Sequence, residues 1–211
     1  MSNSAPGRLN GRAGDLLDDE LSGPPVLDRR SPRVAEIVEA ARRILEADGP
    51  GALTMRRVGD ELGIRAPSLY KHFRSKAQLE AAILEDALEE IGTASHEALR
   101  SPEPLHELLG TYRRYAGAHP HLYRLATSGP LDRDQLTPGL EAWAGNPWFV
   151  VMGDPALAQA LWSFAHGMVI LELDGRYPPE SDLDATWRSG AAAFQAAARS
   201  GLAGTSSVVQ T

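Results

Sequence analysis

The 211-residue chain has no cysteine, which excludes disulfides, thiolate metal sites and cysteine nucleophiles. Lysine is almost missing as well: Lys71 and Lys76 are the only two. Aromatic residues make up 6%, and no apolar run approaches the ~20 residues of a membrane span. The N-terminus, MSNSAPGRLNGRAGDLLDDE, lacks the apolar core of a signal peptide. There is no phosphate-cradling glycine loop, no metal cluster and no Ser/His/Asp spacing that would support catalysis. The expectation is a soluble, cytoplasmic protein without cofactor or enzymatic activity. Strand-like alternation and internal repeats are also lacking, which points to an all-α fold.

What is present is a charge contrast. The chain is acidic, with formal net charge −7. Residues 54–76, TMRRVGDELGIRAPSLYKHFRSK, carry Arg56, Arg57, Arg65, Lys71, Arg74 and Lys76 against only Asp60 and Glu61, a local balance of +4. A basic island in an acidic protein suits a surface that neutralises DNA phosphates. A solvated basic helix face would have the same composition.

The pattern beneath the charge favours DNA. Thr54 is a natural N-cap for a helix from about Met55 to Leu62, with Met55, Val58 and Leu62 on one face. Gly63 stands where the helix must turn left-handed, and Ile64 is expected to be buried in the turn. A second helix of about seven residues follows, with Pro67 in its first turn and Leu69 and Phe73 continuing the apolar face. Two short helices joined this way form a helix-turn-helix, whose second helix enters the major groove.

The run from Pro67 to Lys76, followed by Leu79, resembles the signature of the TetR family of bacterial transcriptional regulators: Leu69, Tyr70, His72, Phe73, Ser75 and Lys76 meet its pattern. The match spans roughly residues 33–85. The resemblance implies a homodimer that binds a double-stranded DNA operator and answers to a small-molecule effector. It further implies an N-terminal three-helix head over 32–77 and an antiparallel helical effector-binding and dimerisation domain over 78–200. Residues 1–31 read as a disordered extension and 201–211 as a flexible tail. Arg8, Arg12, Arg29 and Arg30 give the extension the makings of a DNA-touching arm. The candidate DNA contacts are Thr54, Arg65, Ala66, Pro67, Ser68, Tyr70, Lys71, His72 and Lys76.

Downstream, capping signals at Ser31-Pro32, Ser75–Gln78 and Asp154-Pro155 mark helix starts. Helices are expected over 104–118, 120–127, 155–173 and 181–199, with a broken segment around 132–144 interrupted by Pro138-Gly139. The stretch containing His166, Gly167, Leu171, Glu172, Leu173 and Gly175 is similar to the C-terminal domain of a TetR subgroup often called the WHG type, although Ala165 replaces the tryptophan its name implies. The family's ligand pocket would draw on Tyr112, Tyr115, Trp143, Trp148, Trp162 and His166, though such residues also build ordinary cores. Its dimer seam would use the last two helices, through Ala158, Leu161, Ala165, Trp187, Gly190, Ala193, Phe194 and Ala197. Activation instead of repression, effector-independent regulation, or a ligand carrier or enzyme with a vestigial head remain open at this level.

Overall fold

The computed structural model describes residues 23–25 and 30–205, which contain nine α-helices and no strand. Most of the 1–31 extension, including Arg8, Arg12 and Arg29, lies outside these residues, as does the tail beyond Thr205.

Helix α1 (Pro32–Asp48) starts as the sequence dictates: Ser31 Oγ accepts from the Val34 N–H at 3.4 Å, and Pro32 occupies a position whose N–H would be unpaired anyway. Helix α2 (Met55–Glu61) is capped by Thr54, whose Oγ1 accepts from the Arg57 N–H at 3.2 Å. Gly63 makes the turn at φ +64°, an angle that any Cβ would strain. Ile64 is half-buried rather than buried.

Helix α3 (Ala66–Leu69) is four residues long, not seven. Tyr70, His72 and Phe73 are modest helix formers, and Ser75 must leave helical angles to cap the next helix. The turn is held by a hydrogen bond from the Phe73 N–H to the Leu69 carbonyl at 2.9 Å. Helix α4 (Lys76–Ala98) follows. Ser75 Oγ accepts from the Gln78 N–H at 3.2 Å, while Gln78 Oε1 reaches back to the Arg74 N–H at 2.7 Å, one residue beyond the usual capping box.

Helices α5 (Pro104–Ala118), α6 (Pro120–Thr127) and α8 (Pro155–Leu173) fall where expected. The broken segment does not. Only its first part is irregular, with a 3-10 turn at Arg133–Gln135, and Gly139 at φ +83° then opens helix α7 (Leu140–Met152). Pro147 lies inside α7 and removes the donor that would have met the Trp143 carbonyl four residues earlier. His96 Nε2, 3.0 Å away, donates to that carbonyl instead, and the two rings stack at 4.9 Å. Helix α9 (Leu183–Thr205) starts two residues later than expected and is capped by Asp182, whose Oδ1 accepts from the Ala185 N–H at 2.8 Å. It runs on through Gly201–Thr205, where a frayed tail was expected.

Two cores result. In the head, Ile37, Val38 and Leu45 of α1 meet Leu53, Val58, Leu69 and Phe73, joined by Leu79 and Ile83 of α4 and Leu122 of α6. In the body, Leu108 and Tyr112 of α5 pack with Trp148 of α7, Leu161 and Ala165 of α8, and Trp187 of α9. Each fully buried Leu or Ile contributes about 1.5–3 kcal/mol. Helix α4 serves both cores, since Leu79 to Ala87 lie in the head and Ala98 in the body.

Helix α8 holds no uninterrupted apolar run of membrane-spanning length, yet its average hydropathy is high. By length and composition it is the one helix among the described residues apolar enough to cross a membrane, because Gln159, Ser163, His166 and Glu172 interrupt the run without making it polar on average. Only 28% of that stretch is buried inside the protomer.

Candidate functional site

The recognition segment is held from below and open above. Leu69 is fully buried and Phe73 nearly so, anchoring the turn to the head core. On the other side Arg65, Pro67, Lys71 and His72 are exposed, Tyr70 is 51% exposed and Ser68 is half-buried; the Ala66 side chain lies outside the described residues. Thr54, exposed at the head of α2, spends one lone pair on its own helix.

The six cations of the basic island are not equivalent. Arg57 pairs with Asp48. Lys76 Nζ is 3.0 Å from Glu80 Oε1 and 3.5 Å from the Pro50 carbonyl. Arg56, Arg65, Lys71 and Arg74 make no ion pair among the described residues, so their charge is free for an external anion. Arg56 and Arg74 were not among the residues singled out from the sequence, although the charge count already contained them. Arg30, one of the four arginines that could have equipped an arm, turns onto α4. Its guanidinium reaches Asp86 Oδ1 at 2.5 Å, the Ala82 carbonyl at 2.7 Å and Glu85 Oε2 at 3.2 Å.

Between head and body lies a polar junction. Arg42 of α1 forks onto Glu90 of α4, with Nη2 2.7 Å from Oε2, and Tyr115 Oη of α5 donates to the same oxygen at 2.9 Å. His119 Nδ1 donates to Glu46 Oε1 at 2.7 Å. The hydrogen bond from Arg42 holds the Glu90 carboxyl below its ordinary range, while burial pushes the Tyr115 phenol up. A carboxyl lowered by folding stabilises the protein above its unfolded pKa and loses that contribution as pH falls through the folded one. The melting temperature of wild type should therefore exceed that of Glu90→Gln near neutrality. Thermal denaturation followed from about pH 7 to about pH 3 should show the gap closing. A gap that stays constant with pH would rule out this role.

The six candidate pocket residues divide. Tyr112 meets Trp148 edge-on at 5.1 Å and shares a hydrogen bond with Tyr123 at 2.9 Å; Tyr123 Oη lies 2.7 Å from His166 Nδ1, and His166 stacks on Trp162. Burial lowers the His166 pKa, keeping the imidazole neutral. Trp162 is 47% exposed, at the outer end of this chain of rings. Tyr115 belongs to the junction, and Trp143 forms a separate cluster with Leu140, Ala144 and Leu88. A cleft of about 230 Å³ opens elsewhere, between α5 and α9, over Leu109, Arg113 and Trp187.

The candidate seam residues divide too. Ala158, Leu161, Ala165 and Trp187 are buried inside the protomer and cannot meet a partner. Gly190 also faces inward, since a Cβ there would fall 2.2 Å from Phe164. Ala193 is exposed, and Phe194 and Ala197 are half-buried. The outward stripe of α8 runs through exposed Ala156, Ala160, Ser163 and Leu171 and half-buried Gly167, flanked by Trp162, and Ser189, Ala192 and Ala196 of α9 are exposed too. Alanine on both faces of these helices hides which side is outside.

Two family models match the chain. Residues 37–83 match the bacterial regulatory proteins of the tetR family, and residues 105–194 match a tetracyclin repressor-like C-terminal domain, a description without reference to the WHG type. An uncharacterized HTH-type transcriptional regulator of Mycobacterium tuberculosis is 32% identical over 178 residues, 78% of each chain. A solved protein of unknown function from Rhodococcus sp. RHA1 shares the fold at TM-score 0.64 and 19% identity, covering 80% of this chain and 96% of that one. The multidrug binding protein EbrR, complexed with imidazole, superposes at TM-score 0.56 and 24% identity, covering 78% and 94%.

Proposed function

The chain belongs to the TetR family of bacterial regulatory proteins and is a DNA-binding transcriptional regulator; from that premise we propose that it is a homodimeric, cytoplasmic repressor released from a pseudo-palindromic operator by a small molecule. The observation that carries the DNA half is the exposed, uncompensated charge of Arg65 and Lys71 on a segment fixed by buried Leu69 and Phe73. Arg65, Pro67, Ser68, Tyr70, Lys71 and His72 face the groove, with Lys or Arg suited to guanine or phosphate and the Tyr hydroxyl to phosphate. Arg56 and Arg74 flank them over the backbone. Thr54 and Lys76 mark helix starts beside the phosphates, where N–H groups favour an anion.

The outward face of α8 supports the dimer. A helix this apolar, so little of it buried in its own protomer, needs a cover. A second copy packing on Ala156, Ala160, Ser163, Gly167 and Leu171, with Trp162 beside them, supplies it through small residues that allow close approach. Two recognition segments then meet two half-sites about one helical turn apart.

Release follows if the effector binds one arrangement of the dimer better than the other, and its effect on operator affinity equals that differential.

Selection of bound duplexes from random sequence, followed by sedimentation, tests this reading. Ala160→Glu is expected to give folded monomers with operator affinity reduced by orders of magnitude, because a charge enters a desolvated seam. A dimer that persists in Ala160→Glu and Gly167→Glu alike would place the seam elsewhere. Recovery of no preferred duplex would contradict operator recognition.

A further inference from the structure

Among the described residues only Ser95 and Asn146 are buried polar side chains, and Asn146 is 5% exposed. Neither Oδ1 nor Nδ2 of Asn146 has a hydrogen-bond partner in the protein. Buried carboxamides are nearly always paired, because each lost bond to water must be replaced. The protein has the means to do so at this very turn of α7. Pro147 frees the Trp143 carbonyl, and His96 crosses from α4 to satisfy it. The backbone defect is repaired, yet the adjoining side chain is left with an acceptor and a donor unmet.

The surroundings are apolar. The other buried residues of α7 are Leu140, Trp143, Ala144, Pro147, Trp148 and Met152, all apolar. Its chain neighbour Gly145 is half-buried, and a Cβ there would meet nothing within 4 Å, so this turn of α7 is not tightly covered along its whole circumference. One polar pair in an apolar, aromatic setting fixes a ligand's orientation while burial supplies affinity.

We infer that Asn146 is the recognition point for the effector, and that the effector is a neutral molecule presenting a hydrogen-bond acceptor and donor side by side: a carboxamide, a lactam or an undissociated carboxylic acid. Such an edge accepts a hydrogen bond from Nδ2–H and donates one to Oδ1, closing a two-point pair. An ionised carboxylate offers no donor and would bring a charge into apolar surroundings, so it is selected against. This inference rests on the ligand-released reading above.

Thermal shifts with defined probes test it: δ-valerolactam, benzamide and, as the partnerless control, ethylbenzene, each at millimolar concentration. Without a probe, Asn146→Leu should melt about 3 °C above wild type at equal protein concentration, having lost two unpaired groups. The lactam and the amide should raise the melting temperature of wild type and lose that effect in Asn146→Leu and in Asn146→Ala. Ethylbenzene should treat wild type and Asn146→Leu alike. Equal amide shifts in all three proteins, or none in any, overturn the inference. So does a probe-free order in which both variants melt well below wild type, because the carboxamide would then already be paired. A selected operator duplex in the same titration separates the two readings. A lactam bound through Asn146 that leaves operator affinity unchanged defeats release while the recognition point stands.

Discussion

Lys71→Ala is expected to flatten the salt dependence of operator binding by about two units in the slope of log K against log salt. Each neutralised phosphate contributes about 0.9 to that slope on duplex DNA, and a dimer loses the lysine twice. At moderate salt the affinity should fall on the order of a hundredfold, taking about 1.5 kcal/mol for a charge-assisted contact in each protomer. Random duplexes should weaken in step with the operator if the contact is to phosphate, and less than the operator if Lys71 reads a base. The comparison with Lys76→Ala is informative. Lys76 already faces Glu80 and the Pro50 carbonyl, so its charge is partly spent inside the protein. Its removal should change the slope less than that of Lys71. Equal slopes for the two variants would mean that Glu80 lets go when DNA arrives.

Gly92→Ala should destabilise the protein although alanine is the better helix former. A Cβ at Gly92 would lie 2.3 Å from Trp143 Cζ3 and 2.9 Å from two further ring atoms. The ring has little freedom to retreat, being 7% exposed, stacked on His96, and carried by a residue whose carbonyl His96 also holds. A 2.3 Å clash falls in the upper part of the usual overpacking range, about 2–3 kcal/mol, against a gain of about 1 kcal/mol from helix propensity. The net loss of about 1–2 kcal/mol corresponds to a melting temperature lower by roughly 2–8 °C. Trp143→Phe in the same chain should recover part of it. A Gly92→Ala protein as stable as wild type would show that α4 and α7 can separate at little cost.

The head was legible because its signals are local. A threonine cap, a left-handed glycine, a proline in a first turn and a serine cap each constrain the backbone within a few residues, and all are found in place. The candidate contacts on that head are exposed wherever the side chain is described, apart from half-buried Ser68 and Lys76. Helix α7 was hidden for the opposite reason. Pro138-Gly139 reads as an interruption, and what keeps the helix whole across Pro147 lies far off in sequence: His96, fifty-one residues earlier, takes the freed carbonyl. The faces of α8 and α9 were hidden by composition. Alanines point both ways, so Ala165 reads as a seam residue although it is buried inside the protomer, while its neighbour Trp162 is 47% exposed. Asn146 was passed over because one asparagine in an apolar run carries no pattern; only its burial makes it conspicuous.

Helix α4 is rooted in the head at one end and in the body at the other, and it is unbroken between them. Its 23 residues span about 34 Å at 1.5 Å per residue. A rigid rod of that length multiplies angle into displacement. If the body end tilts by about 5°, the head end swings by about 3 Å, close to the 3.4 Å that separates successive base pairs. A rearrangement around Gly92 and Trp143 too small to disturb either core would thus move each reading head by one step of the DNA ladder, and the two heads of a dimer would err in opposite directions.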